Sequence, residues 1–335
     1  KAIVSRSPLT LIEKILSLFI NVKKIDLSVY EEIQRYSGVD YDPTYTIKKM
    51  IAQYTTMKWL LKLKKPKVAF ISPAYTAFGY VKALKESGVI VVEMQHGLIL
   101  KSHHGYNVYT AFDQSYFPDY LLSFGKREKD VFDEENKSLS SNQIIPVGNF
   151  FLDHVTENYK EEGFTEQQSE SYKLSIAVSL QEIELGEKLI PFIIDLANAN
   201  QDVVFYLKPR RRPKAYFISK YDFPNNTVIV EHVNIYELIL NTDCHATIFS
   251  TTALEAPALG RQNVLVNINN KAKEIFGDTL TNSSTTVFVD DIASFQNFID
   301  SFQKIPSEQI KQEHEDIIAS NFKNNVNQFL KRVYA

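Results

Sequence analysis

Two spacings of apolar residues divide the chain. Up to about residue 65 the apolar positions recur at helical intervals, and Asp42-Pro43 and Lys65-Pro66 interrupt them, because proline removes an amide donor and disfavours helix in the residue before it. The stretch 9–20, with eight Leu, Ile or Phe side chains, predicts a buried helix. Lys23 and Lys24 just beyond it make an interfacial helix at a membrane surface the alternative. From residue 66 onwards short apolar runs alternate with helical spacing. Strands are predicted over 68–72, 89–93, 120–124 and 144–148, with a helix around 83–85 between the first two.

A second series follows a polar stretch at 157–171, which holds Glu161-Glu162-Gly163 and Gln167-Gln168-Ser169-Glu170-Ser171. The spacing predicts strands over 174–178, 202–207, 227–231, 246–249, 263–267 and 286–289. Helices are predicted over 187–198, 235–240 and 252–259, and a final one over about 307–333 that packs back across both domains. Strand–helix alternation of this kind builds a parallel sheet covered on both faces. The expected architecture is therefore α/β, two Rossmann-like domains facing each other across a cleft, with a helical N-terminal segment. An N-terminal domain over 1–156 (helical to 65, α/β from 66), a linker over 157–172 and a C-terminal domain over 173–335 are the predicted parts.

Composition narrows the class. The 335 residues are 44% apolar, 23% charged and carry a net charge of −3, a soluble globular balance with no general case for nucleic-acid binding. Cys244 is the single cysteine, so intrachain disulfides and Cys-x-x-Cys metal sites are excluded. No apolar run reaches the roughly 18–20 residues that span a bilayer. A chain starting at Lys1 reads as a fragment, and an upstream segment stays open. Gly-x-Gly-x-x-Gly, Walker A and Gly-x-Ser-x-Gly patterns are absent, which argues against dinucleotide oxidoreductases, P-loop enzymes and elbow-type hydrolases.

Candidate chemistry gathers at predicted strand ends, where ligands of open α/β sheets bind. Residues 247–260 read as a strand entering three hydroxyl residues, Ser250, Thr251 and Thr252, then a helix with Glu255 in its first turn. Such a turn offers unpaired amides, hydroxyls and the positive end of the helix dipole to a phosphate, and Glu255 to a ribose hydroxyl. Thr252 and Glu255 also have capping-box spacing, so a plain helix cap is the competing reading. One strand–helix unit earlier, Lys208-Pro209-Arg210-Arg211-Arg212-Pro213-Lys214 sets five cations in seven residues, suited to phosphate or simply solvated. His232 and Tyr236 flank a further strand end that could hold a nucleobase, with Asn234 as its own cap.

In the first half, the strand 89–93 runs through Glu93 to Gln95-His96-Gly97. A histidine there titrates near neutrality, and Gly97 admits close approach to the backbone. His103 and His104 follow, so three of the seven histidines fall within nine residues. A His/His/Asp metal site with Asp113 fits no standard zinc spacing, so no metal is expected. Tyr75, after the first strand, lines the same edge.

Gln95-His96-Gly97, Pro146-Val147-Gly148-Asn149, Lys208-Pro209-Arg210 and Ser250-Thr251-Thr252-Ala253-Leu254-Glu255-Ala256, in this order, resemble GT-B glycosyltransferases. More narrowly they look like the bacterial capsule and surface-polysaccharide group that includes polysialyltransferase-like and CDP-alditol phosphotransferase-like enzymes. The resemblance implies a metal-independent enzyme with no cofactor, since the nucleotide-sugar is a substrate. It moves a sugar to a hydroxyl of a glycan or lipid-linked glycan, in the cytoplasm or at the inner membrane face, where other assembly proteins are further expected partners. It implies Lys208, Arg210, Arg211, Ser250, Thr251 and Thr252 for the donor phosphates, and Glu255, His232 and Tyr236 for ribose and base. His96 becomes the general base, Glu93 and Asp113 its reserves, and Gln95, Gly97, His103, His104 and Tyr75 the acceptor side. Two departures stand out: Arg210 replaces the histidine common in Lys-Pro-His-Pro, and the first half has fewer strands than a complete acceptor domain. A CDP-alditol phosphotransferase, a nucleotide-sugar epimerase and a non-catalytic binding subunit remain as alternatives.

Overall fold

The structure, a computed structural model, describes residues 6–23, 25–109, 111–158, 172–180, 184–210 and 212–334. Most of the predicted linker (159–171), Lys24 and Arg211 lie outside the described residues. The chain divides into two compact units, Lys1–Ser123 with Glu128–Ile145, and Phe124–Arg127 with Pro146–Ala335.

Unit one holds a sheet in the order β1 (Val68–Ile71), β2 (Ile90–Met94), β3 (Tyr120–Ser123) and β4 (Ile144–Pro146). β1 pairs with β2 and β2 with β3 in parallel, which sets Ile71 opposite Glu93. Helix Phe78–Glu86 makes the β1–β2 crossover, and Val81, Leu84, Val89 and Val91 bury against one another beneath it. The helical start resolves into Arg6–Phe19, Ser28–Ser37 and Thr44–Leu63, the last opened by Asp42, whose carboxylate accepts from Thr44 N–H at 2.8 Å. Gly79 lets helix Thr44–Leu63 lie directly on Phe78–Glu86: a Cβ there would collide with the Met50 carbonyl. The buried-helix expectation for 9–20 needs correction. Leu9 is buried against Ala77 and Tyr80, but Leu11, Ile15, Leu18 and Phe19 are exposed.

Unit two holds β5 (Leu174–Ser179), β6 (Val203–Lys208), β7 (Thr227–Ile229), β8 (Cys244–Thr247), β9 (Gln262–Val266) and β10 (Thr286–Val289). Their order is β10-β9-β8-β5-β6-β7 and every pair is parallel. This is the doubly wound order, in which the chain leaves β5 to one side first and returns to its other side at β8. The strands are near-continuous apolar runs because helices cover both faces. Ile176, Val178, Val203, Phe205, Ala246 and Val264 are all buried in one core. Cys244 sits there as well, fully buried, and burial pushes its thiol pKa up.

Three boundaries differ from the pattern-based expectation. Residues 146–158 group with unit two because helix Phe150–Asn158 is tied to the chain end: Asp153 accepts from Phe322 N–H at 2.7 Å, and the Phe150 and Phe322 rings meet at 5.7 Å. The C-terminal stretch is two helices, Ser307–His314 and Phe322–Tyr334, parted where Asn321 takes φ 64° and Glu315 accepts from the Ser320 hydroxyl. Helices Lys214–Lys220, Lys271–Phe276 and Ile292–Ser301 lie outside the predicted set; the first two are too short to establish a period, and Asp291 caps the last.

Candidate functional site

The carboxyl ends of β5 and β8 form the switch point of unit two, the crevice where open α/β sheets take ligands. Ser179 ends β5, and β8 runs on through Ile248 and Phe249 into Ser250, Thr251 and helix Thr252–Ala258. The three hydroxyl residues part ways there. Thr251 is exposed and sits at the helix cap without a side-chain capping bond. The Ser250 hydroxyl accepts from Thr252 N–H at 3.3 Å. The Thr252 side chain turns inward and meets Ser179 Oγ at 3.2 Å. The capping box proposed for Thr252 and Glu255 therefore does not form.

Thr252 instead joins a buried relay. Ser179 Oγ lies 2.8 Å from His245 Nε2, and His245 Nδ1 lies 2.7 Å from Asn263 Oδ1. The Asn263 amide nitrogen donates to the Ala253 carbonyl, so Oδ1 is left to accept and His245 Nδ1 must carry the proton. His245 Nε2 then accepts from Ser179, which accepts from Thr252. Burial lowers the His245 pKa to about 4, so the ring stays neutral and the relay keeps one direction of donation at neutral pH. The relay anchors the helix start at both Thr252 and Ala253. No sequence motif marks Ser179, His245 or Asn263. The available signal was a histidine inside a short strand, Cys-His-Ala-Thr, buried on both faces.

Glu255 and Tyr236 come together, the Tyr236 hydroxyl donating to Glu255 Oε2 at 3.1 Å. Burial raises the Glu255 pKa to about 7 and pushes the Tyr236 phenol well above its ordinary value. Asn234 caps its own helix, accepting from Tyr236 N–H at 2.9 Å, and His232 is exposed. Lys208, at the end of β6, reaches across to the Glu231 carbonyl at the end of β7. Arg210 is exposed; Arg212 lies over the Tyr216 ring at 4.8 Å, and Lys214 N–H donates to the Glu231 carboxylate at 2.7 Å.

Unit one presents a different edge. The His96 ring is exposed, with Nε2 3.1 Å from the Tyr75 hydroxyl, and partial desolvation lowers its pKa. Tyr75 also meets the rings of His103 and Tyr106, at 5.3 and 5.6 Å. Its ring lies directly on Gly105, where a Cβ would collide with it. The Tyr106 hydroxyl continues inward to Glu93 Oε1 at 3.0 Å, which also accepts from Ala74 N–H at 3.0 Å. Glu93 is buried, and desolvation raises its pKa to about 7. Gln95 is buried and donates to the Gly97 carbonyl and to Glu128. Space in front of Gly97 is open, with no atom within 4 Å of a Cβ built there. His104 is exposed. Asp113 stands with Lys82 at 2.7 Å and Ser115 at 2.8 Å, and the lysine holds its carboxyl well below the usual range. Among the described residues no group of three or more His, Cys, Asp or Glu side chains is arranged to hold a metal ion.

No protein-family model matches the chain, nor does any curated protein. Solved structures do. A putative UDP-N-acetylglucosamine 2-epimerase from Listeria monocytogenes matches with TM-score 0.60 and 10% identity, over 90% of this chain and 84% of that one. The glycotransferase of kitacinnamycin matches with TM-score 0.59 and 11% identity, over 92% and 90%. UDP-GlcNAc 2-epimerase from Neisseria meningitidis bound to UDP-GlcNAc matches with TM-score 0.57 and 12% identity, over 91% and 89%. These likenesses establish the fold. The chain carries the two parallel-sheet α/β domains of GT-B proteins, with four and six strands.

Proposed function

We propose that this chain is a GT-B glycosyltransferase that moves a sugar from a nucleotide donor to a hydroxyl of a bacterial surface glycan, without a metal ion. The observation that carries this reading is the switch point of unit two. The buried Thr252–Ser179–His245–Asn263 relay fixes a turn whose outward hydroxyls, Ser250 and Thr251, are offered to a diphosphate. Lys208 and Arg210 stand at the neighbouring strand end and supply positive charge to the departing nucleotide. The Glu255–Tyr236 pair is suited to a ribose hydroxyl, with His232 beside the base. In unit one His96 takes the acceptor proton. Its lowered pKa leaves the ring neutral and able to accept at physiological pH, and Tyr75 orients it. His103 and Gly97 border the acceptor, and Glu93 beneath Tyr106 is a reserve proton site.

UDP is the first nucleotide to try, because solved structures of similar fold include an enzyme bound to UDP-GlcNAc. Thermal-shift screening against CMP, CDP, UDP, GDP and dTDP tests the reading, since a ligand that binds only the folded chain at about 100 times its Kd adds ~2.7 kcal/mol of apparent stability. One responding nucleotide is expected. No response to any of the five defeats the proposal.

A nucleotide-sugar epimerase is the second reading. It is favoured by the presence of two proton-exchanging groups, His96 and the near-neutral Glu93, on one edge. Conversion of an activated sugar with no acceptor present selects it; transfer of a phosphoalditol from a CDP donor selects the phosphotransferase.

A further inference from the structure

The N-terminal helices of unit one carry an outward face that packing does not explain. On helix Arg6–Phe19, Leu11, Ile15 and Leu18 recur at helical spacing with 62%, 51% and 79% of their surface exposed, opposite the buried Leu9. Helix Ser28–Ser37 has no buried residue, and its Val29, Ile33 and Tyr36 are exposed at the same spacing. Trp59 and Leu63 add exposed apolar surface on helix Thr44–Leu63. Of the 21 large apolar side chains exposed among the described residues, 13 belong to the first 63 positions. Single exposed apolar residues are ordinary, whereas a run of this density marks an interaction surface.

Charge says what the surface meets. Residues 1–67 hold thirteen Lys and Arg against six Asp and Glu, a net +7, while the remainder of the chain is −10. Lys14 flanks the Leu11–Ile15–Leu18 stripe, and Lys62, Lys64 and Lys65 surround Leu63, all exposed. The charge is unevenly placed: residues 26–42, around helix Ser28–Ser37, hold five Asp and Glu against Arg35 alone, whereas on and just after helix Arg6–Phe19 the exposed charges described are Lys14 and Lys23, with Glu13 buried. Apolar side chains ringed by lysines match an anionic bilayer, where the chains enter the acyl boundary and the ammonium groups snorkel to the phosphates. No helix among the described residues is long and apolar enough to cross a membrane, so helix Arg6–Phe19 would lie in the interface.

We propose that helix Arg6–Phe19 docks unit one onto an anionic lipid surface. The inference is independent of the reaction proposed above. The experiment is co-sedimentation of the full chain with phosphatidylglycerol/phosphatidylcholine vesicles and with phosphatidylcholine alone, in low and high salt. Binding to the anionic vesicles is expected, weakened at least about ten-fold by Ile15→Glu with Leu18→Glu, as the loss of two buried apolar side chains implies. Lys14→Glu with Lys23→Glu should weaken it about five-fold or more, as should high salt. Because all four side chains are exposed, an unchanged melting temperature accompanies the expected losses. Equal binding to neutral vesicles, no binding to either, or wild-type binding by the Ile15/Leu18 variant each overturns the proposal. So does a chain dimeric by light scattering that becomes monomeric in the Ile15/Leu18 variant, which assigns the face to a second copy.

Discussion

The carboxyl edges of the two sheets share an architecture and differ in what they do with protons. At the edge of unit two, the relay from Thr252 through Ser179 and His245 to Asn263 is held by partners on both sides of each inner member and has one direction of donation. A neutral His245 holds that direction across physiological pH. At the edge of unit one stand the two groups proposed to exchange protons: His96 in the open beside Tyr75, and Glu93 buried with a pKa of about 7. The contrast teaches that burial fixes a histidine in one place and mobilises a carboxyl in another. Desolvation favours the neutral form in both, and only the starting pKa differs.

The sharpest way to break the comparison is at His96. His96→Ala should lower turnover by about 10²–10⁴-fold, the usual yield of a positioned acid or base, while the nucleotide-induced thermal shift persists. Unchanged turnover would remove proton exchange from this edge. His245→Ala attacks the other edge. Ser179 and Asn263 would lose their partner inside the core, and a cavity would remain, so unit two should lose about 3–5 kcal/mol in urea unfolding. A loss under about 1 kcal/mol would mean that the relay does not hold the turn.

A pH series sharpens the contrast further. The unfolded chain protonates His245 near 6.5 and the folded chain only near 4, so stability falls as pH drops from 6.5 towards 4. His314, buried against the Leu254 carbonyl with a pKa of about 4, acts in the same sense. Glu93 acts in the opposite sense. The folded chain keeps its proton up to about pH 7 and the unfolded chain loses it near 4.5, so stability falls as pH rises through that window. Glu255 adds to that second slope from unit two. Glu93→Gln keeps an acceptor for Ala74 and Tyr106, and it should remove about 2–3 kcal/mol of that pH-dependent loss. A denaturation series whose slope over this window is unaltered would contradict the assignment. The smallest effect is expected at the exposed Arg210, where Ala should weaken nucleotide binding about five- to ten-fold, as for one charge-assisted bond. Titration calorimetry showing no change would return the basic loop to solvent.

Strand content was largely legible, because buried parallel strands such as Leu174–Ser179 and Val203–Lys208 are near-continuous apolar runs that periodicity finds readily. The short helices Lys214–Lys220 and Lys271–Phe276 were not, being too brief to establish a period. At the site, the positions of Ser250 and His96 at strand ends followed from the order of elements. The inward turn of Thr252 did not, because its partner Ser179 lies 73 residues away and hydrogen bonding across strands has no local signature. Spacing leaves Glu255 between a ribose contact and a helix cap; its hydrogen bond with Tyr236 depends on how two helices of unit two pack. Gly105 carries no local signal at all, because what demands a glycine there is the Tyr75 ring against its backbone.

Cys244 has a use that none of the chemistry above requires. It is the only thiol in the chain and lies in the central strand β8 with no surface exposed. A thiol reagent in solution therefore reacts only when β8 opens. Its rate of labelling under native conditions clocks the opening of the strand that leads into the Ser250 turn, with no introduced label. Slower labelling in the presence of a nucleotide would locate that ligand's grip on unit two by a chemical stopwatch already built into the sequence.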